Sequence, residues 1–381
     1  MTTAVTWMND ADIRTDLAAA RTAVDPARID AILDKARSLA GLTSSEAAIL
    51  CAVDDPDLRA RIHEAAGEVK RTIYGRRLVL FTPLYVSNLC ANDCAYCAFR
   101  AGNKDIVRRS LTMNEIASET ASLVDEGHRR LLLVAGEAYP REGFDYVLDA
   151  IDTIYSVTGD KGSVRRVNVN VAPLEVDDFR RLRDRRIGTY QIFQETYDRQ
   201  IYASVHRKGR KRDYDWRLQA MDRAMTAGVD DVGVGVLFGL ADWRFEVLAL
   251  LRHAEHLQER FGVGPHTLSV PRLEPATGAE VAASPPNPVD DETFKTIVAV
   301  LRLAVPYTGI IMSTRETAAL RRETFALGVS QISAGSRTNP GGYTGGDAEP
   351  QFSLGDHRPL DEVVRDVAEL GYTPSFCTGC Y

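Results

Sequence analysis

Three cysteines within eight residues carry the strongest chemical signal in the chain. Cys90, Cys94 and Cys97 are spaced C-x3-C-x2-C. A cubane iron–sulfur cluster has four irons and usually takes four thiolates. A loop that offers three leaves one iron open for a small molecule. A zinc site and a purely structural cluster are the alternatives, but zinc usually takes four ligands in paired spacing, and no fourth stands near. The run LVLFTPLYVSN (78–88) leads into the loop and reads as a strand. A cluster just past a strand's C-terminal end sits where α/β folds place their chemistry.

The elements that must position this loop follow from periodicity. From Leu78 onward, apolar β-branched runs alternate with helical stretches. The predicted strands are 78–87, 130–136, 165–171, 189–195, 230–238, 266–273, 308–314 and 329–335. The predicted helices fall near 114–127, 143–157, 175–186, 213–227, 242–261, 290–304, 317–327 and 359–370. Such alternation implies a parallel sheet. Eight units predict an α/β fold of the (β/α)8 TIM-barrel type, with an open doubly wound sheet as the alternative. Residues 10–75 read as helices before the barrel. Asp25-Pro26 opens one, and Thr43-Ser44-Ser45-Glu46 is a capping box for another. Cys51 reads as a buried thiol. The expected organisation is an N-terminal helical extension (1–77), a barrel (78–371) and the start of a C-terminal cluster domain (372–381).

Bulk properties narrow the class. With 45% hydrophobic and 26% charged residues, the 381-residue chain is of ordinary globular composition. A net charge of −7 argues against nucleic acid or an anionic membrane as partner. The basic run Arg207–Arg212 reads as a solvated loop. No secretory leader and no membrane-length apolar run are visible. The expected compartment is a reducing cytoplasm, where clustered cysteines are metal ligands rather than disulfides.

The predicted strand ends are polar: Glu137 after the second, Asn168 and Asn170 on the third, Glu195 on the fourth, Arg272 on the sixth, Arg315 on the seventh, Ser336 on the eighth. Charged groups in a barrel mouth are costly unless a charged ligand meets them. The glycine-rich loop 337–356 reads as a substrate contact, a lid or plain turn chemistry. His253 and His256 read as a solvated helix face.

The cysteine loop, with Tyr96 just before its last thiol, resembles the signature of the radical S-adenosylmethionine (SAM) enzymes. Nearly the whole chain resembles that family's aromatic amino acid lyases. The resemblance implies a [4Fe–4S] cluster on Cys90, Cys94 and Cys97, with SAM on the open iron. It implies SAM contacts from Tyr96, from Glu137 in Gly136-Glu137, from Asn168 and Asn170, from Glu195 in Gln194-Glu195-Thr196, and from Arg272 in Val270-Pro271-Arg272. Ser313-Thr314-Arg315-Glu316 resembles the segment whose arginine holds the substrate carboxylate, with Tyr85 and Ser336 completing that site. A planar guanidinium suits bidentate capture.

The stretch GVGPHTLSVPR (262–272) matches the [FeFe]-hydrogenase maturase branch. There the histidine, here His266, is implied to ligate an extra iron of a second cluster. Cys377 and Cys380 resemble the pair that opens the auxiliary-cluster domain of that branch. A third cysteine is expected there, so the auxiliary cluster reads as incomplete, with tyrosine cleavage kept and most CO formation lost. The implied activity is Cα–Cβ cleavage of L-tyrosine to a p-cresol-forming fragment and dehydroglycine. The implied partners are a ferredoxin or flavodoxin electron donor and other hydrogenase maturases. The alternatives are a dehydroglycine supplier for thiazole synthesis and an iron–sulfur carrier.

Overall fold

The computed structural model describes residues 5–346 and 348–376. Eight parallel strands follow one another around a closed barrel: β1 (Arg77–Ser87), β2 (Arg130–Ala135), β3 (Arg166–Asn170), β4 (Tyr190–Gln191), β5 (Val232–Gly235), β6 (Thr267–Ser269), β7 (Gly309–Met312) and β8 (Gln331–Ser333). The ring closes where β8 pairs with β1, Val79 opposite Gln331 and Phe81 opposite Ser333. Closure rules out the open doubly wound sheet. The strands are apolar because both faces are covered, by helices outside and packed side chains inside. A short strand, β9 (Thr373–Ser375), adds to the start of β1, Arg77 opposite Thr373.

Four helices precede the barrel: α1 (Asp10–Thr22), α2 (Pro26–Arg37), α3 (Ser44–Cys51) and α4 (Pro56–Tyr74). Asp25 caps α2 just before Pro26, and Thr43 with Glu46 forms the capping box of α3. Within the barrel region follow α5 (Met113–Glu126), α6 (Asp145–Ser156), α7 (Val176–Asp184), α8 (Arg199–Val205), α9 (Tyr214–Leu218), α10 (Ala220–Thr226), α11 (Trp243–Phe261), α12 (Glu280–Ala283), α13 (Asp291–Ala304), α14 (Ala318–Leu327) and α15 (Leu360–Glu369). The helix expected over 213–227 is two, broken at Gln219.

The N-terminal helices have a clear physical role. Residues Phe294 and Thr296–Ala304 of α13 are all buried, an apolar helix with almost no solvent face. It lies between the barrel and α2, α3 and α4, which cover its outer side. A helix buried all round must have such a second layer. Cys51 is fully buried there, and burial pushes its thiol up to about 12.

Candidate active site

The cysteine loop is built by hydrogen bonds that its sequence supplies. Asn88 Nδ2 donates to Val107 O at 2.7 Å and its Oδ1 accepts from Arg109 N at 2.7 Å, closing the base of the loop. The Arg108 guanidinium donates to four loop carbonyls: Asn88, Phe99, Arg100 and Asn103. One planar, permanently charged fork thus replaces water for backbone groups that a tight loop leaves unpaired. The far side is pinned by antiparallel pairing with 205–208: Ala95 N to Val205 O at 2.9 Å and Arg207 N to Asp93 O at 2.9 Å. Gly209 (φ +87°) lets that segment approach, since a Cβ there would meet Asn92 Oδ1 at 2.1 Å.

Cys90, Cys94 and Cys97 all border one cavity at the C-terminal mouth of the barrel, of about 1340 Å³ including its opening. Burial raises all three thiols, Cys90 to about 11, so they need a metal's charge to ionise. Among the described residues no three His, Cys, Asp or Glu side chains converge on a single ion. Three thiols bordering one cavity are a donor set for a cluster, where each thiolate takes its own iron. The residues present therefore fit a [4Fe–4S] group.

One flank of the cavity is an ion-pair network. Glu137 accepts from Arg217 at 2.8 Å and from Asn92 Nδ2 at 2.7 Å. Burial would raise its carboxyl, but Arg217 and Lys211 outweigh that and hold it below the usual range. Glu195 accepts from Lys211 Nζ at 2.7 Å. Glu195 has φ +72°, a left-handed backbone that costs a side-chain-bearing residue roughly 1–2 kcal/mol. Tyr96 also borders the cavity on this side. Its hydroxyl is 2.8 Å from His206 Nε2, and His206 Nδ1 lies 2.9 Å from Tyr202 O. With the Nδ1 proton on that carbonyl, Nε2 accepts from the tyrosine. Asn170 borders the cavity as well.

The other flank is an unpaired cation. Arg315 stacks its guanidinium on Phe352, 3.3 Å from the ring centroid, and makes no ion pair among the described residues. Burial lowers its pKa. Tyr85 borders the same space, its hydroxyl donating to Gln351 Oε1 at 2.7 Å, and Gln351 Nε2 reaches Cys97 Sγ at 3.5 Å. Ser336 is buried there, its hydroxyl without a hydrogen-bond partner among the described residues. Between the flanks Phe81, Leu132, Val134 and Ile311 form an apolar wall inside the barrel.

The structure does not bring every expected residue to the cavity. Arg272, just past β6, is not among the residues that line the cavity, whereas Ser269 and Pro271 are. Its guanidinium is held by Glu316 and by Asp291, the latter at 2.9 Å. Asn168 faces the barrel interior like Asn170, but two residues deeper, where it accepts from Thr189 N at 3.0 Å instead of lining the cavity. His266 precedes β6, at the barrel's opposite end from the three cysteines, with Nδ1 3.0 Å from Asp231 Oδ1. Cys377 and Cys380 lie outside the described residues. The basic run is not simply solvated, because Lys211 is buried against Glu195. His253 is buried and bonded to Tyr197, and His256 bonds Asp222, so neither belongs to a solvated face. Lys211, Arg217, Asn92, Gln351 and Phe352 are site residues that sequence reasoning missed. Loop 337–356 supplies the last two, so it forms part of the cavity wall.

Residues 84–269 match the model of the Radical SAM superfamily, and residues 269–373 that of the Biotin and Thiamin Synthesis associated domain. The chain is 32% identical over 344 residues to the 2-iminoacetate synthase of Salmonella typhimurium (strain LT2), covering 90% of this chain and 89% of that protein. The chain belongs to the radical SAM superfamily. The radical SAM barrel also resembles a crystal structure of HydG, a maturase of the [FeFe]-hydrogenase. That match has TM-score 0.95 and 48% identity, over 98% of this chain and 81% of that one. HydG from Carboxydothermus hydrogenoformans matches at TM-score 0.88 and 44% identity, over 98% and 86%. A radical SAM domain implies a [4Fe–4S] cluster and SAM. No helix among the described residues is long and apolar enough to cross a membrane.

Proposed function

We propose that this radical SAM enzyme is a tyrosine lyase of the [FeFe]-hydrogenase maturation type, cleaving the Cα–Cβ bond of L-tyrosine to yield p-cresol and dehydroglycine. The observation that carries the reading is Arg315: a guanidinium with no ion pair among the described residues, in the cavity that the three cysteines border. Cys90, Cys94 and Cys97 would hold the cluster, which would supply the reducing electron for SAM cleavage. Glu137, Glu195 and Asn170, with the cations Lys211 and Arg217, offer the balanced charge that a zwitterionic cofactor needs. Arg315, with Tyr85 and Ser336, holds the substrate carboxylate and so fixes the amino group toward the cofactor. Phe81, Leu132 and Ile311 hold the ring and exclude water from the reacting carbons.

The identity to HydG, higher than that to 2-iminoacetate synthase, supports the maturation type. The second reading, a dehydroglycine supplier for thiazole synthesis, is favoured by the 2-iminoacetate synthase match across most of both chains. A reducing cytoplasm, a ferredoxin or flavodoxin donor and exchange with other maturases fit the proposal. The test is anaerobic turnover with SAM, dithionite and tyrosine: p-cresol with 5′-deoxyadenosine supports a tyrosine lyase, and deoxyadenosine alone moves the substrate elsewhere.

A further inference from the structure

We infer that Glu246, a carboxyl outside the cavity, is a positioning residue that holds the turn after Glu195 and thereby aims the Glu195 side chain at the cofactor. The inference rests on the proposed role of Glu195 toward SAM. Glu246 lies near the start of α11 and is fully buried. Its Oε1 accepts from Thr196 Oγ1 and its Oε2 from Tyr197 N at 2.9 Å. These are the two residues that follow Glu195. The same helix reaches Tyr197 again seven residues later, where His253 Nδ1 lies 2.8 Å from the Tyr197 hydroxyl. Tyr214 Oη donates to Tyr197 O at 2.7 Å.

The turn needs that grip. Three non-glycine residues among those described have a left-handed backbone, and of these Glu195 alone borders the cavity. Such a conformation persists only where the surroundings over-determine it. On the strand side Gln194 N donates to Gly235 O at 3.1 Å, and Glu195 O accepts from Leu237 N at 2.8 Å. On the other side the two bonds to Glu246 fix Thr196 and Tyr197. Without them the chain can relax toward ordinary φ, which rotates the Glu195 carboxylate away from Lys211 and out of the cavity. Burial raises Glu246 to about 8, so near neutrality it is largely a neutral acid; glutamine has the same shape, its Oε1 able to accept from Tyr197 N and its Nε2 to donate to Thr196 Oγ1.

The test uses cluster-loaded protein and measures KM and kcat for SAM and for tyrosine separately, in Glu246→Leu, Glu246→Gln, Glu195→Gln and the double variant Glu195→Gln/Glu246→Leu. The inference expects Glu246→Leu to raise the SAM KM about tenfold, with tyrosine KM little changed. Glu246→Gln restores most of the loss, and in the Glu195→Gln background Glu246→Leu adds little. A folded Glu246→Leu enzyme with a SAM KM within about twofold of wild type overturns the inference, as does an undiminished effect in the double variant. Should Glu246→Leu not fold, Thr196→Val removes one of the two bonds and must move the SAM KM in the same direction. A Glu195→Gln enzyme with unchanged SAM KM overturns the cofactor role of Glu195 and the inference with it. A Glu195→Gln effect without a Glu246→Leu effect overturns the inference alone.

Discussion

Replacing Arg315 by lysine tests the substrate clamp quantitatively. The guanidinium has already lost water, stacks on Phe352 and has no ion pair among the described residues. A carboxylate arriving there gains two charge-assisted hydrogen bonds, each worth roughly 1.5–3 kcal/mol. Lysine keeps the charge but offers a point donor in place of a fork, and it loses the stacking. One bond's worth is then missing, which at 1.4 kcal/mol per tenfold is a loss of ~10–150-fold in kcat/KM for tyrosine. The assay is p-cresol formation against tyrosine concentration at saturating SAM, beside uncoupled deoxyadenosine formation without tyrosine. Arg315→Lys should raise the tyrosine KM and leave the uncoupled reaction unchanged. A tyrosine KM within twofold of wild type would refute the clamp. Equal loss of the uncoupled reaction would instead assign Arg315 to the cofactor.

Gly136→Ala should abolish cluster loading, because the new Cβ would meet Leu89 O at 2.2 Å and push the cysteine loop from its place; iron content and the visible charge-transfer band report it. Lys211→Met removes the nearer of two cations on the buried Glu195 and leaves Arg217 at 3.7 Å, so the cost stays below the roughly 3–5 kcal/mol of a fully broken buried pair; it should lower Tm and raise the SAM KM together. Glu246 makes a pH prediction for stability. Its folded pKa, about 8, lies above its ordinary 4.5, so the folded state holds a proton that the unfolded state releases as pH rises. Stability contributed at this site is full below about pH 4.5 and falls toward pH 8, by at most ~1.4 kcal/mol per pH unit. Glu246→Gln should remove that slope, measured as the difference in denaturant midpoints between wild type and variant across the range.

Much of the barrel was legible because most of its strands lie in apolar, β-branched runs set between amphipathic helices, with β3 alternating Val and Asn. The α3 capping box and the Asp25-Pro26 start of α2 were legible because caps are local chemistry. Other elements were not. α8 is seven residues long and β9 three, too short for either period to register. In the site, the three cysteines announce themselves by spacing, whereas Lys211 sits in a charge run that looks solvated and is buried only because the segment 205–211 folds back on the cysteine loop. Motif matching does not resolve which side of the chain Arg272 takes, outside the cavity lining, or the depth at which Asn168 sits. His253 looked like surface because its partner, Tyr197, is more than fifty residues away.

The most direct test of the central claim is the product analysis of reconstituted protein given SAM, dithionite and tyrosine, beside a Cys94→Ala variant. The account predicts p-cresol and 5′-deoxyadenosine from the wild type and neither from the variant. A properly loaded wild-type protein that forms neither product would contradict it and favour an iron–sulfur carrier.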